Sequence, residues 1–340
     1  MRFVKTADSN ENGGVLQCEL CPHSCVLSPD KSGICKVRGN RLGEGEIPFY
    51  GCVTALAKDP VEKKPLYHFR PGTEILSAGF LGCNLRCPFC QNWHISQSTE
   101  TAARKITPKE LVAAAKECGA LAYTYSEPLV HIEYLLDCMN EARKAGIANV
   151  LVTNGCIKAA AAEEVLALTD AANIDLKCFS KDTYAKVLGG DLDTVLSFIR
   201  TACDKGVHVE LTTLVVPGLN DSKQELDACV DFMESLNIGT EKAQVPWHLS
   251  AYHPDWKWNA PPTPPEFLLE TAERAHKRLA YVYAGNIFGE KNDTLCSFCG
   301  KTLVSRRGYR IDTSGLRTKK ENGALAATCA SCGKAAPFRI

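Results

Sequence analysis

The chain has 340 residues, 45% hydrophobic and 23% charged, enough for one large α/β domain or two ordinary ones. Its 39 basic and 39 acidic residues cancel, which excludes a global field drawing it to nucleic acid, a membrane surface or an acidic substrate. The opening MRFVKTADSNENGG has no apolar signal core, and no stretch reaches the roughly 18 apolar residues of a membrane-spanning helix, so a cytoplasmic protein is expected.

Residues 1–73 form a first module holding CELCPHSC and GIC, with Cys18, Cys21, Cys25 and Cys35. From Glu74 to residue 289 the pattern alternates. Apolar, β-rich runs occur at 74–80, 121–125, 149–155, 173–177, 208–216 and 248–252, with a further short one at 281–285. Between them lie helical patterns at 107–119, 129–146, 158–168, 192–206, 222–236 and 265–279. The first opens on Thr107, Pro108 and Glu110, an N-cap and first turn, and stops at Gly119. Strands apolar throughout and alternating with helices predict a covered parallel sheet. With six βα units and no G-x-G-x-x-G, the expected fold is a partial, open (β/α)6 barrel of TIM type, with chemistry at the C-terminal strand ends. Residues 290–340 carry CSFCG and CASCG and form a third, zinc-ribbon-like module. The Pro-rich 259–266 is a short rigid connection.

The 18 cysteines are the outlier. Clustering as C-x2-C without a secretion signal fits thiolates held on metals in a reducing compartment, not a disulfide scaffold. Eleven fall into three clusters, while Cys118, Cys138, Cys203 and Cys229 sit in helical patterns as small buried hydrophobes. Cys296, Cys299, Cys329 and Cys332 are paired knuckles suited to structural zinc. The basic stretch 306–320 between them reads as a solvated loop, and nucleic-acid binding is not favoured. Cys18, Cys21, Cys25 and Cys35 suit zinc or an auxiliary [4Fe–4S] cluster, with His23 able to replace one ligand. The shortness of that module and its distance in sequence from the barrel favour zinc.

GCNLRCPFCQN gathers only three thiols, Cys83, Cys87 and Cys90, directly after the first strand. Four thiolates close a metal site, whereas three on a [4Fe–4S] cube leave one iron open to a chelating ligand. Substrate chemistry needs that open corner and electron transfer does not. A zinc or rubredoxin-like site completed by a distant ligand such as His94 is the plainer alternative.

The spacing C-x3-C-x2-C with Phe89 before the last cysteine resembles the signature of radical S-adenosylmethionine (SAM) enzymes. DPVEKKPLYHFRPG, TYSEP, TNG, IDLK, VVPGLND and AYHPDW follow in the order of the branch containing glycyl-radical-enzyme activases. The flanking cysteine modules are most similar to the AmmeMemoRadiSam system radical SAM enzymes. The resemblance implies that Cys83, Cys87 and Cys90 hold a catalytic [4Fe–4S] cluster which cleaves SAM reductively to a 5′-deoxyadenosyl radical. It implies an oxidoreductase, with flavodoxin or ferredoxin as reductant and a protein substrate or pathway proteins as partners.

By the same resemblance Phe89, Glu127, Thr153, Asn154, Asp175, Lys177 and His253 contact SAM. Glu127 would meet its amine, Thr153 and Asn154 the ribose and carboxylate, Lys177 the carboxylate, and His253 the adenine. Each also has a plainer reading: a turn acid before Pro128, a strand-end turn, a buried Asp–Lys pair, a satisfied histidine. His68 and Trp93–His94 are candidates for the approach to the cluster. Val152 replaces the acidic residue that helps activases hold a monovalent cation, so that site is not implied. Four functions compete: an activase-like enzyme, radical modification of a small molecule, peptide or tRNA, a non-catalytic zinc-binding interaction protein, and pure electron transfer, which would need no SAM contacts.

Overall fold

A computed structural model describes residues 1–8, 14–236, 242–289, 291–321 and 324–340. Its centre is an eight-stranded open sheet. The strands are β1 (Ala55–Pro60), β2 (Glu74–Gly79), β3 (Ala120–Thr124), β4 (Ala148–Thr153), β5 (Ala171–Asp175), β6 (His208–Val215), β7 (Trp247–Ala251) and β8 (Val282–Gly285), lying side by side in that order. From β2 to β8 every pairing is parallel. Only β1 runs antiparallel, from Ala55 opposite Gly79 to Pro60 opposite Glu74. The seven expected strands are present within a residue or two, and β1, from within residues 1–73, extends the sheet.

Helices α1 (Pro108–Ala114), α2 (Ile132–Lys144), α3 (Ala159–Leu166), α4 (Leu192–Asp204), α5 (Lys223–Glu234) and α6 (Pro265–Ala275) fill the connections. Thr107 and Glu110 cap α1 reciprocally, as their spacing predicts. Each longer helix buries one stripe on the sheet: on α2 these residues include Leu135, Cys138, Met139 and Ala142. Cys138 and Cys229 are fully buried as expected, whereas Cys118 and Cys203 are half-buried.

The gap between edge strands β1 and β8 is filled by the segment 61–70. Leu66 and Phe69 pack with Val61, Ile75, Ala120 and Ala148 at the N-terminal ends of the strands. Below them, Glu210 of β6 is fully buried and accepts backbone N–H bonds from Tyr67 and His68 at 2.9 and 2.7 Å. His208 and His248 reach the same carboxylate at 2.9 and 2.7 Å. The C-terminal module seals this floor. Phe338 stacks on His68 with centroids 4.5 Å apart, and Arg306 lies 4.4 Å over the Tyr67 ring while donating to the Tyr67 carbonyl at 2.6 Å. Arg306 is therefore a buried structural cation, 2% exposed, rather than part of a solvated basic loop.

The cysteine-bearing part of the N-terminal module sits at the opposite end. His23 Nε2 contacts the Asn84 carbonyl at 2.8 Å, Lys158 donates its N–H to the Leu20 carbonyl at 3.0 Å, and buried Arg38 pairs with Glu133 of α2 at 2.8 Å. Distance in sequence thus misleads: this module packs beside the loop that follows β2. His23 is spent on a backbone carbonyl through Nε2.

Candidate active site

Parallel strands deliver their C-terminal residues to one rim, and there a cavity of about 320 Å³ opens. Cys83, Cys87, Phe89 and Cys90 line it from the loop after β2, Glu127 from the β3 end, Thr153 and Asn154 from β4, and Asp175 and Lys177 from β5. Nine of the ten expected site residues converge in this way. The tenth does not: His253 follows β7 by two residues, is exposed, and leans on the Asn286 carbonyl at 3.3 Å. Ser250 of β7 faces the cavity instead. His68 lies buried at the barrel floor between Tyr283 Oη, at 2.7 Å, and the Pro337 carbonyl, far from the cysteine loop. Trp93 and His94 are exposed beside that loop, with Trp93 stacked 6.2 Å from Trp256.

The cysteine loop is pinned at several points. Asn84 receives Asn154 Nδ2 on Oδ1 at 3.0 Å and donates to the Cys156 carbonyl at 2.7 Å. Gln97 donates to the Leu85 carbonyl at 2.9 Å, and Asn92 to the Tyr125 carbonyl at 2.8 Å. Two sulfurs have polar company: Leu85 N–H reaches Cys83 Sγ at 3.3 Å, and Ser96 Oγ stands 3.3 Å from Cys90 Sγ. No fourth cysteine lines the cavity among the described residues. This donor set fits a cubane with one uncapped iron and does not fit a closed tetrahedral ion.

Glu127 is 1% exposed and holds three donors: Thr153 Oγ1 at 2.6 Å, Asn154 N–H at 2.8 Å and Leu129 N–H at 3.0 Å. Burial pushes its carboxyl up to about 7, against the pull of those three bonds. Lys177 Nζ lies 2.7 Å from Asp175 Oδ2. Burial opposes the lysine's charge, but Asp175 and then the Cys87 sulfur outweigh it and raise its pKa. The cavity thus offers an anionic acceptor on one wall and a cation on another, a pairing that suits a zwitterion.

Residues the sequence reading missed come from distant segments. Tyr125 adopts φ 69, an uncommon left-handed conformation for a bulky residue, and donates to Asp59 Oδ2 at 2.6 Å. Lys64, almost fully buried, pairs with the same oxygen at 2.7 Å and lies 4.3 Å over the Tyr125 ring. Asn220, in VVPGLND, donates to the Lys177 and Leu214 carbonyls at 2.6 and 2.8 Å and accepts Val216 N–H at 2.6 Å. It fixes the turn after β6 against Lys177.

At the other end of the molecule the four sulfurs of Cys296, Cys299, Cys329 and Cys332 all lie within 4.8 Å of one another, a spacing that fits a single tetrahedral ion. No helix of the described residues is long and apolar enough to cross a membrane.

Known proteins resemble this chain over different spans. The uncharacterized protein MJ0808 of Methanocaldococcus jannaschii is 40% identical over 344 residues, spanning 98% of this chain and 97% of that protein. A pyruvate formate-lyase-activating enzyme of Clostridium pasteurianum is 26% identical over 175 residues, 50% of this chain and 73% of its own length. A radical SAM methyltransferase structure from Sphaerobacter thermophilus matches with a TM-score of 0.49 at 16% identity, covering 69% of this chain and 71% of that one. The model of the Radical SAM superfamily matches residues 79–231, the stretch holding the three-cysteine loop and the polar ends of β3, β4 and β5; the chain carries a domain of that superfamily.

Proposed function

We propose that this chain is a radical SAM enzyme of the activase-like kind, taking a hydrogen atom from a substrate at the strand-end cavity. A domain of that superfamily implies a [4Fe–4S] cluster and SAM, and Cys83, Cys87 and Cys90 would hold the cluster. When bound and reduced, it supplies the electron that splits SAM into methionine and a 5′-deoxyadenosyl radical, which becomes 5′-deoxyadenosine on taking hydrogen from the substrate. The remaining work falls to the chain. Glu127 offers an anionic acceptor for an ammonium, and Lys177, steered by Asp175, offers a donor for a carboxylate. Phe89 is 3% exposed and excludes water beside the sulfurs. A flavodoxin or ferredoxin would supply the electron in the cytoplasm, and zinc would occupy the C-terminal cysteine quartet.

The observation carrying this reading is the convergence of three thiols from one loop with a carboxylate and a lysine on one cavity. Radical chemistry on a small polar molecule is a second reading, favoured by Lys63 and Lys64 at the cavity wall, two cations that share the one carboxylate of Asp59 and so leave a positive charge that a glycine backbone would not require. The test is anaerobic reconstitution with dithionite and SAM, reading 5′-deoxyadenosine by chromatography. Wild type should produce it and the Cys83→Ala, Cys87→Ala, Cys90→Ala variant should not. Zinc alone on the three thiols after anaerobic handling would reject the reading. A glycyl-type electron paramagnetic resonance (EPR) doublet on an added glycyl radical enzyme would separate the activase branch from the small-molecule one.

A further inference from the structure

Two sets of four cysteines flank the barrel, and their sulfurs are spaced differently. In the C-terminal set two Sγ···Sγ contacts are 3.7 Å, which matches the edge of about 3.8 Å expected for four thiolates on one ion at about 2.3 Å. Among the described residues no other three thiols stand within 4.8 Å of one another. That holds for Cys83, Cys87 and Cys90, and equally for Cys18, Cys21, Cys25 and Cys35.

The N-terminal four are nonetheless gathered. Cys18, Cys21 and Cys35 are buried, and Cys21 is within electrostatic reach of each of the other three. Backbone N–H groups point at the sulfurs, His23 to Cys21, and Val37 and Arg38 to Cys35. Left-handed residues in the same turns, Ser24 at φ 44 and Lys36 at φ 66, bend the chain there. Arg38 is 1% exposed and lies beside Cys18, and its Nε is a buried donor with no hydrogen-bond partner. An orphaned buried cationic donor beside a thiol calls for an anionic sulfur.

A cubane seats each thiolate on a different iron, so its sulfurs stand further apart than four on one ion. We infer that Cys18, Cys21, Cys25 and Cys35 hold a [4Fe–4S] cluster, a second iron–sulfur centre closed by four thiolates. With every iron capped it binds no substrate and fits an electron-carrying or structural role. It lies against the three-cysteine loop: the residue before Cys83 is Gly82, and a Cβ there would strike the Cys35 carbonyl oxygen and meet Val37 at 2.8 Å.

The test uses the full chain with Cys83, Cys87 and Cys90 changed to alanine, so its outcome is independent of SAM cleavage. Iron, zinc and sulfide are measured after anaerobic purification, with Mössbauer and EPR spectra. The inference predicts about four irons and four sulfides per chain, with about one zinc on the C-terminal quartet. Adding Cys25→Ala and Cys35→Ala should bring iron to background while that zinc stays, which reports a folded chain. Should the enlarged variant be insoluble, Cys25→Ser in the same background should keep the iron and shift its EPR signal. About two zincs and no iron in the first variant, or iron indifferent to Cys25 and Cys35, would overturn the assignment.

Discussion

Glu127 sits where two demands oppose each other: burial favours its neutral form, while three donors favour the carboxylate. The outcome, near 7, makes SAM binding sensitive to pH on the proposed chemistry. Below about 7 the group is protonated and loses its attraction for an ammonium, so affinity should fall as the pH drops through that value. Glu127→Gln removes the charge at every pH. It should weaken SAM binding about ten- to a hundredfold, the worth of a charge-assisted hydrogen bond, and flatten the pH profile in equilibrium dialysis. An unchanged dissociation constant in the variant would remove Glu127 from the binding role. The glutamate was legible because T-Y-S-E-P ends an apolar run just before a proline. Its donors Thr153 and Asn154 were legible as T-N-G, but their bonding to Glu127 joins residues 26 and 27 positions apart, which no local pattern encodes. Tyr125, Lys64 and Asp59 escaped for the same reason. His253 went the other way: its position after a strand was correct, yet the chain turns it outward.

At the scale of elements, the parallel strands and helices were readable because burial on both faces makes a strand apolar throughout, and capping residues mark the helix starts. Strand β1 was not. Its sequence ALAKDP carries charges and a proline, features of an edge, and its pairing depends wholly on β2. Two glycines compare what backbone and collision each cost. Gly146 has φ 69 with open space around a Cβ, so Gly146→Ala should lose only about 1–2 kcal/mol of backbone preference. Gly82 has φ 77 and faces Cys35 and Val37, so Gly82→Ala should lose clearly more in urea unfolding and loosen the N-terminal module to proteolysis. Equal losses would mean that the module is not tightly docked. Asn220→Ala strands one buried and two part-buried backbone groups and should cost about 1–3 kcal/mol in the same experiment; a near-neutral result would show that water replaces the side chain.

For the whole molecule, buried groups set the acid response, histidines in one sense and Glu127, raised to about 7, in the other. Burial lowers His68 to about 3 and His131 to about 4 from the ordinary 6.5. Unfolded chains take up these protons below about 6.5 while the folded chain does not. Their contribution is therefore fully present above that value and lost as the pH falls below it, by about 1.4 kcal/mol per pH unit for each histidine. Between about pH 6.5 and 5 the folded chain keeps a Glu127 proton that the unfolded chain has lost, which offsets one histidine, so the test is a difference. His131→Gln, which can still donate to the Leu81 carbonyl, should lessen the fall of stability with acid by about 1.4 kcal/mol per pH unit relative to wild type in urea unfolding. Equal slopes in the two proteins would contradict the burial of the His131 ring.

The sealed floor of the barrel has a kinetic meaning. With Glu210, His68, Phe338 and Arg306 closing one end, traffic to the cavity runs over the opposite rim. SAM and a substrate would then share one doorway. Whichever enters second would stand between the first and solvent, and both products would leave over the same rim.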